Sequence, residues 1–187
     1  MVLVCLASAT ATTHAQGDPP GAPAPATAAA PIAAPSGGPT LRNGFSLSAG
    51  QEWGSGPSSG LSGQLYGADW RIGAKLDALS VYLHSHLSIG TAHIGALSGL
   101  TGNFAGALIV DYTLPQGVFI GGGGGYGVLN NPSGPLGQLR AGWYPFGHSS
   151  DGKARHLNVA LDARWYFAGE AVGTVTHVAL SLGYDRF

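Results

Sequence analysis

Beyond residue 40 the sequence alternates between apolar and small or polar side chains, the period of a β-strand, whose successive side chains point to opposite faces. Phe45, Leu47, Ala49 and Trp53 share one parity, and Ser46, Ser48, Gly50 and Glu52 the other. Tyr66, Ala68, Trp70 and Ile72 likewise oppose Gly67, Asp69, Arg71 and Gly73. A third segment sets Leu79, Val81, Leu83, Leu87 and Ile89 against Ser80, Tyr82, His84, His86 and Ser88. In the fourth, Phe104, Leu108, Val110 and Tyr112 oppose Ala105, Ala107 and Asp111, with Ile109 as the misfit. Four more segments follow, with apolar parities at Val118 to Val128, Leu139 to Trp143, Leu157 to Phe167 and Val178 to Tyr184. Gly, Ser, Asn and Pro clusters separate them, so about eight strands result, near the ~9–11 residues that cross a bilayer.

The charges decide which face is inside. Glu52, Asp69, Arg71, Asp111, Arg140, Asp162, Arg164 and Asp185 all fall on the parity opposite the aliphatic and aromatic one. The rest of that polar parity is mostly Gly, Ala, Ser and Tyr, and the strand cores are read as free of lysine. A water-facing set would be rich in Lys and Glu, whereas this one suits a narrow lumen with neutralised ion pairs. The expected fold is therefore all-β: a transmembrane antiparallel up-and-down β-barrel over residues 41–187. Trp53, Tyr66, Trp70, Trp143, Trp165 and Phe167, near strand ends, fit interfacial aromatic girdles.

Composition supports this reading. Charged residues make up 9% of the chain, against about 25% in soluble domains. A net charge of -1 and scattered basic residues give no footprint for nucleic acid. No stretch within the barrel region is apolar for ~18 residues, so a membrane-spanning helix is not expected there.

The opening MVLVCLASATATTHAQ has an apolar run followed by small residues offering cleavage near Ala11 or Ala15. It reads as a signal peptide over residues 1–15, shortened at its start because basic residues are missing before the apolar run. Cys5, the single cysteine, falls inside it, so no disulfide or thiolate metal site is expected. Residues 16–40 are rich in Pro and Ala and read as a disordered linker with polyproline character.

The ending LSLGYDRF places Gly183 and Tyr184 shortly before a terminal Phe187. Together with the export signal and the alternating strands, it resembles the small eight-stranded OmpA/OmpX-like outer-membrane proteins of Gram-negative bacteria. Asp185 stands where that family more often has an aromatic residue. The resemblance implies a bacterial outer-membrane location, with lipid as the surrounding partner and a structural or surface-interaction role. It also implies delivery by periplasmic chaperones and a barrel-assembly machinery that reads Gly183, Tyr184 and Phe187. Loops near 54–63, 91–102, 130–137 and 168–174 would be extracellular, and turns near Lys75 to Ala78, Pro115 to Gly117 and Gly147 to Arg155 periplasmic. A following peptidoglycan-binding domain is not expected, and the loop ligand is not specified.

Within FIGGGGGYGVLN, Gly122, Gly124 and Gly127 match G-x-G-x-x-G. Dinucleotide binding needs a helix after that turn, but Tyr126 to Asn130 continues as strand. The inward glycines Gly121, Gly123, Gly125 and Gly127 are instead expected to make room for long lumen side chains.

His84, His86 and His177 share the inward parity and read as hydrogen-bonded lumen histidines. His84 and His86 lie two apart on one face, but a third ligand is not evident, so neither a metal nor another cofactor is expected. A narrow solute channel is one alternative function. Another is a hydrolase: His86-Leu87-Ser88 resembles the His-x-Ser element of outer-membrane lipid A deacylases, with Ser88 as nucleophile and His86 as base. The lumen parity of both residues and the absence of a suitable Glu argue against it, so the chain is not expected to be an enzyme.

Overall fold

The computed structural model describes residues 38–130, 132–146 and 155–187, so the signal-peptide and most of the linker expectations lie outside the described residues. Eight strands follow: β1 Thr40–Ser55, β2 Leu61–Leu76, β3 Leu79–Ile94, β4 Leu97–Thr113, β5 Val118–Leu129, β6 Ser133–Trp143, β7 Arg155–Phe167 and β8 Thr174–Arg186. Each pairs antiparallel with its neighbour in sequence. β1 also pairs with β8, from Asn43↔Arg186 to Ser55↔Thr174, which closes the sheet into a barrel. Closure removes the two free edges that an open sheet would expose. The expected all-β up-and-down architecture of about eight strands is thus the observed one.

The parity of the sequence is the parity of the wall. On β3 the residues from Leu79 to Ile89 alternate between outward apolar side chains, such as Leu83 and Leu87, and buried Ser80, Tyr82, His84, His86 and Ser88. Ile109, the misfit, points inward and is fully buried. It pairs with Gly123 and belongs to an inner apolar cluster with Tyr82, Ala107 and Tyr166.

The glycine run is explained by the same face. A Cβ on Gly121 would collide with Asp111, on Gly123 with the backbone of Leu108, and on Gly127 with the Tyr166 ring. These inward glycines let β4 and large lumen side chains approach where any other residue would intrude. No helix follows them, since β5 continues to Leu129 and leads by Asn130 to β6.

Three expectations are corrected. Lys75 lies within β2, not in a turn, and its side chain is buried, because the inward parity of Asp69 and Arg71 continues through Gly73 to Lys75. The expected loops at 91–102 and 130–137 are largely strand: β3 and β4 meet at the two-residue turn 95–96, and β6 begins at Ser133. Gly95 has φ +60°, the left-handed backbone such a tight turn favours. The remaining connections at that end are also short, spanning 56–60 and 168–173. Most of the turn expected at 147–155 lies outside the described residues.

Glycine substitutions test the face assignment. Gly123→Ala should lower the denaturant midpoint of the refolded protein, with overpacking costing about 1–3 kcal/mol. Gly137 points outward on β6 with nothing near a built Cβ. Gly137→Ala should leave stability unchanged or raise it by less than ~1 kcal/mol. Equal damage from both would contradict the inward placement of Gly123.

Candidate functional site: a charged lumen closed by its own ion pairs

Among the described residues, ten charged side chains are buried in the lumen: Arg42, Arg71, Lys75, Arg140 and Arg164 against Glu52, Asp69, Asp111, Asp162 and Asp185. Their formal charges cancel, five against five. None is more than 4% exposed, which makes the lumen a packed electrostatic core. Burial of charge costs several kcal/mol per ion unless each is paired and hydrogen-bonded, so the pairing decides whether the barrel is stable.

Asp185 organises the end of the barrel that holds both ends of the closed sheet. Its Oδ1 accepts from Arg71 Nε at 3.0 Å, and its Oδ2 from Arg42 Nη2 at 3.1 Å, Tyr144 Oη at 2.9 Å and Asn158 Nδ2 at 3.0 Å. Arg42 also donates through Nη1 to Asp111 Oδ2 at 3.1 Å, and Tyr82 Oη donates to the same oxygen at 2.6 Å. The Arg42 guanidinium lies 4.3 Å from the Tyr82 ring centroid, a cation–π contact within the same knot.

A second knot surrounds Asp69 on β2. Its Oδ1 lies 2.7 Å from Arg164 Nη2, 2.7 Å from His86 Nδ1 and 3.1 Å from His84 Nε2. His84 Nδ1 is 2.9 Å from Gln138 Nε2, which also reaches Asp162 Oδ1 at 3.3 Å. Arg140 Nε lies 3.3 Å from Asp162 Oδ1, and Ser181 Oγ donates to Asp162 Oδ2 at 2.9 Å. His177 Nε2 stands 3.2 Å from Glu52 Oε2, while the Tyr166 ring lies 4.6 Å from the His177 ring. All eight charged positions singled out by parity, and all three histidines, therefore face one lumen. They divide into knots around Asp185 and Asp69, with the Glu52–His177 pair near the opposite mouth.

Two lumen cations escaped the sequence reading. Arg42 precedes the first clear alternation and Lys75 adjoins turn-like residues, although extending the inward parity of β1 back from Ser46 and of β2 on from Arg71 reaches both. Lys75 Nζ sits 3.9 Å from the Phe187 ring centroid. Phe187 itself points inward, on the parity of Asp185 rather than that of outward Tyr184, and its ring meets Tyr144 and His156. The terminal aromatic thus lines the inner end of the lumen.

His86 and Ser88 lie side by side on β3 without forming a nucleophile and base pair. The His86 nitrogens face Asp69 and, at 3.4 Å from Nε2, Arg164, whereas Ser88 Oγ has no hydrogen-bond partner. Among the described residues, no group of three or more His, Cys, Asp or Glu is arranged to hold a metal ion.

The fold and lumen define a closed eight-stranded antiparallel barrel, compatible with the small outer-membrane barrels. Compared with protein-family models, curated proteins and solved structures, the chain matches none of them.

Removal of one partner tests the pairing. Asp185→Ala leaves Arg42 and Arg71 without their shared carboxylate, and breaking such a buried pair should cost about 3–5 kcal/mol. Measured by denaturant unfolding, a loss under ~1 kcal/mol would contradict the role given to Asp185.

Proposed function

We propose that the protein is an integral outer-membrane barrel with a structural role and a lumen sealed by ion pairs. The observation that carries this reading is the inversion of its charges. Of the thirteen charged residues whose side chains are described, ten are inside, while the outer wall bears Leu, Ile, Val and aromatic side chains. Among the described residues, the exposed charges are Asp77, Glu170 and Arg186, in a turn, in a loop and at a strand end. Water would make such a wall unfavourable, since apolar surface costs about 25 cal/mol per Å² to hydrate and monomers in water rarely expose patches beyond a few hundred Å². Hydrocarbon removes that cost.

The dimensions support the same solvent. From Leu79 to Ile89 the outer face of β3 is Leu, Val, Ser and Ile. Ten steps of ~3.3 Å rise about 33 Å, or ~25 Å along the axis at a tilt of ~40°, the height of a membrane barrel's apolar band. Polar outward residues appear at the ends, including Asn43 and Gln51 on β1 and Thr91 and His93 on β3. Outward aromatic side chains stand toward both borders: Tyr184, Phe45 and Trp70 are successive cross-strand neighbours near one, where Trp70 Nε1 donates to Asn43 Oδ1 at 3.2 Å, and Trp53 and Phe167 stand near the other. Such rings suit the boundary between headgroups and acyl chains.

A structural role is favoured over a channel because the lumen side chains fill the interior and bind one another. Eight strands leave a bore that side chains can occupy, whereas wide aqueous pores need ~16 or more. Recognition of the last strand by an assembly machinery belongs to this proposal, with Tyr184 presented outward while Phe187 is turned in.

Cell fractionation tests the location. The native chain should sediment with outer membranes and resist carbonate extraction, and its recovery as a soluble periplasmic protein would overturn the proposal. Planar-bilayer recordings test the seal. Purified protein should give no steady single-channel steps, and reproducible large conductance would replace the structural reading with the channel.

A further inference from the structure

At the end of the barrel opposite Asp185, the wall has a step. β3 and β4 pair up to Ile94↔Leu97, but β4 meets β5 only from Asn103↔Leu129. The β3–β4 hairpin therefore rises above β5, and the step encloses a cup of about 400 Å³, within the ~300–1,000 Å³ common for ligand pockets. Its walls include Leu61, Ile94, Leu97, Leu129, Val172 and Val175. Two polar residues in the lining, Glu52 and Asn103, are 2% and 3% exposed.

Both have unused capacity. Asn103 Nδ2 is buried and has no hydrogen-bond partner. Glu52 is, among the described residues, the lumen carboxylate that faces no arginine or lysine. Asp69 has Arg164, Asp162 has Arg140, Asp111 has Arg42, and Asp185 has Arg42 and Arg71. Glu52 has His177 at 3.2 Å and a hydroxyl donor, Thr101, at 3.4 Å. A buried carboxylate without a permanent cation favours one supplied from outside, and an orphaned amide N–H favours an acceptor.

We propose that this cup binds a small cationic amphiphile, an amine with an apolar chain and a neighbouring oxygen. The ammonium pairs with Glu52, the oxygen accepts from Asn103 Nδ2, and the chain lies against the Leu, Ile and Val walls. A carboxylate head is rejected, because it would meet Glu52 as a like charge. The cup's internal geometry does not depend on what surrounds the outer wall, so failure of this inference leaves the proposed location standing.

The test is calorimetric titration of the refolded full chain in detergent with 2-aminohexan-1-ol, whose short chain limits uptake by micelles. Saturable one-to-one binding is expected, with hexan-1-ol at least ~10-fold weaker and hexanoate giving no saturable heat. Glu52→Gln and Asn103→Leu should each weaken the amine by about 10-fold or more, the scale for losing a buried charged or hydrogen-bonded partner. Leu97 is 76% exposed, so Leu97→Gln probes the wall at little risk to folding and should also weaken binding. If Glu52→Gln fails to refold, the preference of the native protein for amine over carboxylate decides. Unsaturable heat from the amine, equal affinity for hexanoate, or unchanged affinity in a folded Glu52→Gln protein would each overturn the proposal.

Discussion

Four side chains from four parts of the wall converge on Asp185 of β8: Arg42 from β1, Arg71 from β2, Tyr144 just after β6, and Asn158 from β7. Backbone ladders hold only adjacent strands, whereas these contacts also reach across the lumen. Asp185 therefore ties the first and last strands to the rest of the barrel at the seam where β1 meets β8. The knot is stable only when complete, because each buried charge depends on the others for neutralisation. Such mutual dependence makes the interior a specific core instead of a collection of polar residues.

The same constraint governs the wall. Side chains alternate, so a strand that presents an arginine inward presents its two sequence neighbours outward. A one-residue slip of β2 would expel Asp69 and Arg71 to the outer face and bring Trp70 inside. Both faces therefore select the same register. The glycines of β5 adjust the fit, giving up side chains where Asp111, Ile109 and Tyr166 need the volume.

Much of this was legible in the sequence because period two is a local property. Parity along single strands identified the inward Asp69, Arg140, Asp162 and Arg164 without knowledge of any contact. Their partners were not legible, since Asp69 and Arg164 stand on β2 and β7 and meet only through closure of the barrel. Arg42 and Lys75 were missed at strand ends, where alternation is thin and turn-like residues adjoin. The β3–β4 extension looks like a loop in the sequence because GTAHIGALSGLTG offers small residues and little contrast between faces. That extension makes the cup, which therefore lies where the sequence pattern is weakest.

In the proposed setting lipid, and not water, covers the outer wall while the inner parity is packed. Spin labels placed one at a time from Phe104 to Tyr112, in a background with Cys5 replaced, address both faces of β4 in vesicle-reconstituted protein. Labels at 104, 106, 108 and 110 should be relaxed by oxygen dissolved in the bilayer and shielded from a water-soluble nickel reagent, while labels at 105, 107 and 109 should be immobilised and reached by neither. Nickel accessibility at 104, 108 and 110, or loss of the two-residue period, would contradict the account.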